Sequence, residues 1–311
     1  MFILKKEQKI CQIGPWKVGG QPGDNPPLLV ASMFHKGDRI LGKRKVGEFD
    51  RDKAATYIKR QEKLSEQTGI PAITAMVANS ADEMKRYVDF FTGVSDKPFA
   101  IDMWKQDSRV EAVKYVAELG IMDRLLYNSI TPWDKDIPGQ VETMKELGVK
   151  HVVVQVYDEN DPTPQGRVNS FRRMMEMIGE NTFETILVDT SVTNLPATSF
   201  SSVANRIIKE EFGVPTGLAS SNGTYLWKEA KDMWGAEGFS AMNVAGQAAA
   251  SMFWCDVIFY GPQVTAPRVF PAVVSASLML ATFVYNETGK LPSNPEHPLY
   301  KFFSEFAEKL Q

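Results

Sequence analysis

KPFAIDMWKQDSRVEAVKYVAELGIMDRLLYNSI, residues 97–130, decides the fold. The apolar run from Pro98 to Asp102 predicts a short buried strand, 108–119 a helix, and 123–130 a second strand, which together make one βαβ unit. A polar side chain marks the end of each strand, Asp102 on the first and Asn128 on the second. Ligands gather at the carboxyl ends of strands in parallel α/β architectures, so this carboxylate and amide predict a site for a planar, hydrogen-bonding ligand.

Outward from this unit the same alternation repeats. Residues 1–27 carry two short extended segments, 9–13 and 16–18, joined at Gly14-Pro15, which predicts a hairpin. Residues 28–34 supply the first apolar strand, and the basic, glycine-containing stretch 35–48 predicts a loop that could act as a lid or as a plain surface connection. Asp50 is placed to cap a helix ending at Gly69, and strand 71–77 follows. Ser80 with Glu83, and Ser108 with Glu111, have the spacing of capping boxes for helices stopping at Gly93 and Gly120. Helices at 141–147, 168–178 and 201–212 precede strands 150–156, 185–189 and 214–219; helices at 225–234 and 245–253 precede strand 256–260. Glycines 69, 93, 120, 148, 179, 213 and 235 stand at expected helix ends. Eight strands alternating with helices predict a (β/α)8 TIM barrel over 28–311 behind the N-terminal hairpin of 1–27, in one domain spanning 1–311. The alternative, an open doubly wound sheet, would show a Gly-x-Gly-x-x-Gly after its first strand, and none is present.

Composition narrows the function. The 311 residues are 43% hydrophobic and 23% charged, ordinary for a globular protein, and a net charge of -3 does not suit a nucleic-acid or membrane surface. Two cysteines, Cys11 and Cys255, can build neither a disulfide framework nor a thiolate metal cluster, and fit a reducing cytoplasm. No leader is visible at the start, and the apolar stretch 269–285, interrupted by Pro271, Ser275, Ser277 and Thr282, is expected to be a buried helix that falls short of a bilayer span. Small apolar residues in 245–253 and the run 269–284 predict a homodimer.

A barrel builds its site from strand ends, here Asp102, Asn128, Gln155, Asp189 and Asn222, with Trp104, Tyr157 and Phe200 as candidate walls. His35, His151 and His297 are scattered without ligand spacing, so a metal centre is not expected, and no strand places a Schiff-base lysine at its end. Asp102 and Asp189 could formally serve a glycosidase, which would leave the amides unexplained. Two carboxylates plus amides suit a heterocycle with alternating donors and acceptors, such as a pterin. Such a site could bind without catalysing.

Several short motifs carry a family resemblance. They are Asp123-Arg124 before Tyr127-Asn-Ser-Ile130, Val188-Asp-Thr190, Tyr260-Gly-Pro262 before Phe270-Pro-Ala-Val273, Glu296-His-Pro298, Glu7-Gln-Lys-Ile10, Gly19-Gly-Gln-Pro-Gly23 and Thr68-Gly69. Together they resemble the H-subunit family of tetrahydromethanopterin S-methyltransferase, nearly end to end, and among its stand-alone members the methylcorrinoid:tetrahydrofolate methyltransferases of glycine-betaine-type demethylation. The resemblance implies a dimeric pterin-binding methyltransferase barrel. Its methyl group would pass between N5 of tetrahydrofolate (as 5-methyltetrahydrofolate) and a corrinoid (cobalamin) carried by a partner protein. It also implies that Asp102, Asn128 and Asp189 bind the pterin and that Asn222, in Ala219-Ser-Ser-Asn222, approaches N5. One departure is Asp102-Met103-Trp104, where relatives often show Asp-Ser-Thr.

Overall fold

The computed structural model describes residues 1–41 and 48–311. Strands β1 (Ile10–Ile13) and β2 (Trp16–Gly19) form the antiparallel hairpin, and β3 (Leu28–Met33) opens the barrel. There follow α1 (Arg51–Thr68), β4 (Ala72–Val77), α2 (Ala81–Val94), β5 (Phe99–Asp102), α3 (Gln106–Glu118), β6 (Leu125–Ile130), α4 (Ile137–Glu146) and β7 (His151–Gln155). Next come α5 (Pro164–Ile178), β8 (Thr185–Asp189), α6 (Ala197–Phe212), β9 (Thr216–Leu218), α7 (Ser220–Tyr225), α8 (Ala230–Met252), β10 (Val257–Pro262) and α9 (Ala266–Thr288). Two short helices, α10 (Pro298–Phe302) and α11 (Ser304–Glu308), end the chain and were not foreseen in the sequence. The eight strands β3 to β10 form a closed parallel barrel in which β10 returns to pair with β3. This is the TIM barrel expected.

Alternation of side chains along each strand separates two apolar layers. Val30, Ile73, Ala75, Ala100, Leu126, Val153 and Leu187 face inward and pack with one another. Outward-facing Met33, Met76, Ile101, Tyr127, Val152 and Val188 meet the helices. The hairpin plugs the N-terminal end of the barrel, since Ile13 and Val18 are fully buried in the interior cluster. Below it, Lys209 of α6 pairs with Asp256 at 2.5 Å and donates to the Gly20 carbonyl at 3.2 Å.

Helix ends show which local signals carry weight. Asp50 caps α1 through the Lys53 N–H, and Gly69 closes it with φ +74°, as expected. Ser80 accepts the Glu83 N–H, but Glu83 reaches back to the Asn79 N–H at 2.8 Å rather than to Ser80. The Ser108–Glu111 box does not form, because α3 already begins at Gln106, whose side chain accepts the Lys135 N–H and donates to the Asp136 carbonyl. Gly93 lies inside α2, and Gly235 (φ +66°) kinks α8 without ending it. Of the 35–48 loop, 35–41 and Glu48 are described; the lid or plain surface connection read there lies in part outside the described residues.

The stretch expected as a buried helix is a helix, α9, buried on one face and longer than expected. Gln263–Thr288 runs 26 residues, so by length and apolarity it could cross a membrane, against the expectation that it falls short. Its hydroxyls are compatible with helix, since Thr282 bonds back to the Leu278 carbonyl at 3.0 Å. One face, with Val269, Phe270 and Val273, is buried on the barrel, while Met279 and Phe283 on the other face are about half exposed.

Candidate active site at the barrel mouth

Four of the five nominated residues are placed by the same rule. Asp102, Asn128, Gln155 and Asp189 each stand two positions beyond an interior residue, Ala100, Leu126, Val153 and Leu187. A two-residue step returns a side chain to the same face, so these four form the next inward layer, at the C-terminal ends of neighbouring strands. Asp102 is in register with Asn128, and Gln155 with Asp189. Between these pairs the β6–β7 register slips from Asn128 to Ile130.

The electrostatics of the layer are unusual for buried carboxylates. Asp102 is partly exposed, yet burial pushes its carboxyl up to about 6, with the Arg109 guanidinium pulling the other way. Asp189 is likewise pushed up to about 6, first by burial; the Ser191 N–H lowers it and the nearby Asp102 charge raises it. Among the described residues neither is salt-bridged, and the side chains of Asp102 and Asn128 make no hydrogen bond. Asp189 accepts the Ser191 N–H at 2.9 Å, and Gln155 donates to the Ser191 hydroxyl at 3.2 Å.

Two arginines that sequence reading missed hold this layer in place. Arg109 of α3 is 1% exposed; it donates to the Tyr127 hydroxyl at 2.7 Å, to the Met103 carbonyl at 2.8 Å and to both oxygens of Asp134 at 2.8 Å. It thereby ties the loop after Asp102 to the loop after β6. Arg167 of α5 is fully buried and spends its donors on backbone, the carbonyls of Thr190 (2.7 Å), Ser191 (3.2 Å), Thr163 (3.1 Å) and Pro162. It fixes Ser191 at φ +49°, a left-handed backbone that costs a residue with a side chain about 1–2 kcal/mol. No local motif announces either arginine, because their partners lie on other elements.

Asn222 is exposed, on α7 directly after β9, and lines a cleft of about 820 Å³ whose walls include none of the other four. Because β9 is the barrel neighbour of β8, the cleft continues the mouth beyond Asp189, between α7, α8 and the ends of β3 and β10. The candidate walls fare differently. Tyr157 lies under the Arg167 guanidinium, Phe200 is half exposed on α6, and Trp104 is 83% exposed, stacked on Trp133 at 6.3 Å. In the Asp102-Met103-Trp104 departure, Met103 is buried and its carbonyl is held by Arg109. Among the described residues no group of three or more His, Cys, Asp or Glu side chains could hold a metal ion.

Solved structures with this fold include the 7,8-dihydropteroate synthase from Vibrio fischeri, with TM-score 0.59 and 13% identity, covering 88% of this chain and 98% of that one. The 3-dehydroquinate dehydratase from Geobacillus kaustophilus has TM-score 0.54 and 12% identity, covering 86% and 98%. Identities this low show shared architecture alone. In sequence, the H subunit of tetrahydromethanopterin S-methyltransferase from Methanopyrus kandleri is 29% identical, covering 94% of this chain and 97% of that protein. The H subunit of the same enzyme from Methanothermobacter thermautotrophicus is also 29% identical, covering 97% and 99%. The pattern of the tetrahydromethanopterin S-methyltransferase MtrH subunit matches residues 6–290, and the chain therefore belongs to that family.

Proposed function

We propose that the protein is a methyltransferase moving a methyl group between N5 of a reduced pterin, tetrahydrofolate, and the cobalt of a corrinoid held by a separate protein. The observation that carries this reading is the inward layer of two desolvated carboxylates that form no salt bridge among the described residues, flanked by the amides of Asn128 and Gln155. A pterin presents several N–H donors and a carbonyl in one plane. Asp102 and Asp189 accept such donors, and Asn128 offers a donor and an acceptor together. Each N–H that reaches a carboxylate replaces lost hydration and favours its ionised form.

When bound, the corrinoid supplies a metal atom that gives up or takes the methyl group. The protein's own task is to hold N5 on the axis of transfer, which removes much of the entropic barrier to bringing two large molecules together. Arg109 and Arg167 serve this by fixing the loops after Asp102 and Asp189 before any ligand arrives. Asn222 is assigned to N5 itself, where its amide can donate to the lone pair or accept from N5–H.

Single-turnover methyl transfer from methylcobalamin, followed by the absorbance of the demethylated product with tetrahydrofolate saturating, tests the assignment. In Asn222→Ala the rate constant is expected to fall about ten- to a thousandfold, as for loss of one donor at a charge-developing atom. Equal rates would remove Asn222 from the chemistry. Absence of transfer in the wild type, with tetrahydrofolate and with tetrahydromethanopterin alike, would sink the function.

A further inference from the structure

We propose that the cleft beside Asn222 binds the anionic aryl-glutamate tail of the pterin substrate, an inference that rests on the pterin reading above. The cleft is lined by five cationic residues, Lys36, Arg39, Lys228, Lys231 and Arg268, in a chain whose net charge is -3. Among the described residues none of the five is paired with a carboxylate. The acidic residue lining it, Asp38, is occupied by the N–H groups of Phe34 at 3.0 Å and Ile40 at 3.2 Å. Basic charge left uncompensated on a concave wall attracts an anion.

Two further observations give the anion a shape. Asn243, 5% exposed, lines the cleft with an amide nitrogen that has no acceptor among the described residues. A buried donor without an acceptor is unfavourable, and a ligand carbonyl or carboxylate would satisfy it. Tyr225, Trp227 and Phe239 give the same wall aromatic surface, suited to an aryl ring between the pterin and its carboxylates. Connectivity then fixes the direction. In tetrahydrofolate the aryl-glutamate arm leaves from C6, the ring atom bonded to N5. A residue that reaches N5 therefore stands where the arm departs, and Asn222 lines this cleft.

The test is calorimetric binding of tetrahydrofolate mono- and triglutamate to the wild type and to the Lys228→Glu/Lys231→Glu variant; both lysines are exposed. Wild type is expected to bind the triglutamate about three- to thirtyfold tighter, as two added exposed charges warrant, and the variant to lose that ratio. 6-Methyltetrahydropterin, which lacks the arm, separates the two readings. If it binds wild type and the arm adds nothing, the cleft inference falls and the pterin reading stands; if no pterin binds, both fall. A variant that keeps the wild-type ratio but transfers methyl groups poorly with the corrinoid protein would assign the cleft to partner docking and overturn the proposal.

Discussion

At the N-terminal end of the barrel Asp256 is locked to Lys209 at 2.5 Å and also accepts the Thr216 N–H at 2.9 Å. At the C-terminal end Asp102 and Asp189 are desolvated as well, but the guanidinium groups that could pair with them, Arg109 and Arg167, are committed to Asp134, a hydroxyl and backbone carbonyls. One end satisfies its buried charge and the other withholds the counter-charge. Nothing in residue type separates these aspartates, so the difference lies in their surroundings: closure at one end and, on the function proposed above, reception of a ligand donor at the other.

Removing the cation at the closed end is expected to have the largest effect. Lys209→Met strands Asp256 and should lower the unfolding free energy by about 3–5 kcal/mol in urea titrations, while leaving tetrahydrofolate affinity unchanged at a temperature where the variant is folded. A loss of affinity with stability intact would break the contrast. At the open end, Asp102→Ala and Asp189→Ala each remove the acceptor proposed for a ligand donor, an expected loss of about 1–3 kcal/mol, or roughly tenfold and more in affinity by calorimetry. Affinities within about twofold of wild type would take these residues out of the site.

How legible was this from sequence? The inward layer was, because Asp102, Asn128, Gln155 and Asp189 each follow an apolar strand residue by two, a spacing that survives any small error in strand ends. Asp50 and Gly69 were legible for a similar reason, since each acts on its own helix terminus. The Ser108–Glu111 spacing misled because the start of α3 is set by Gln106 reaching the next loop. Gly235 misled because a left-handed residue can bend a helix as well as stop it. Arg167 was invisible, since its carbonyl partners include residues 23 and 24 positions away.

The smallest effect is the pH dependence of stability and binding. With Asp102 at about 6 in the folded protein against an ordinary 3.8, the folded state holds more protons than the unfolded state between about pH 4 and 6. Stability therefore falls as pH rises through that window and levels off above it. Asp102→Asn, which cannot ionise, should melt a few degrees higher than wild type above pH 6, with the difference vanishing toward pH 4. Tetrahydrofolate binding should run the other way, weakening below about pH 6 as the carboxylates lose acceptor capacity. A pH-independent difference in melting temperature would mean that the carboxylate is well solvated and would erase the contrast between the two ends.

The pairing of β10 with β3 also bears on how the chain is made. A ribosome releases Leu28–Met33 long before Val257–Pro262, and at about 5–20 residues per second the interval is roughly 10 to 45 s. Throughout it the first barrel strand has an unpaired edge, and the inward-facing Val30 lacks its final neighbour. Such an edge is a template for strands of other chains. The nascent protein is thus most exposed to misassembly just before its last barrel strand emerges, and a chain cut short ahead of Val257 cannot close the ring.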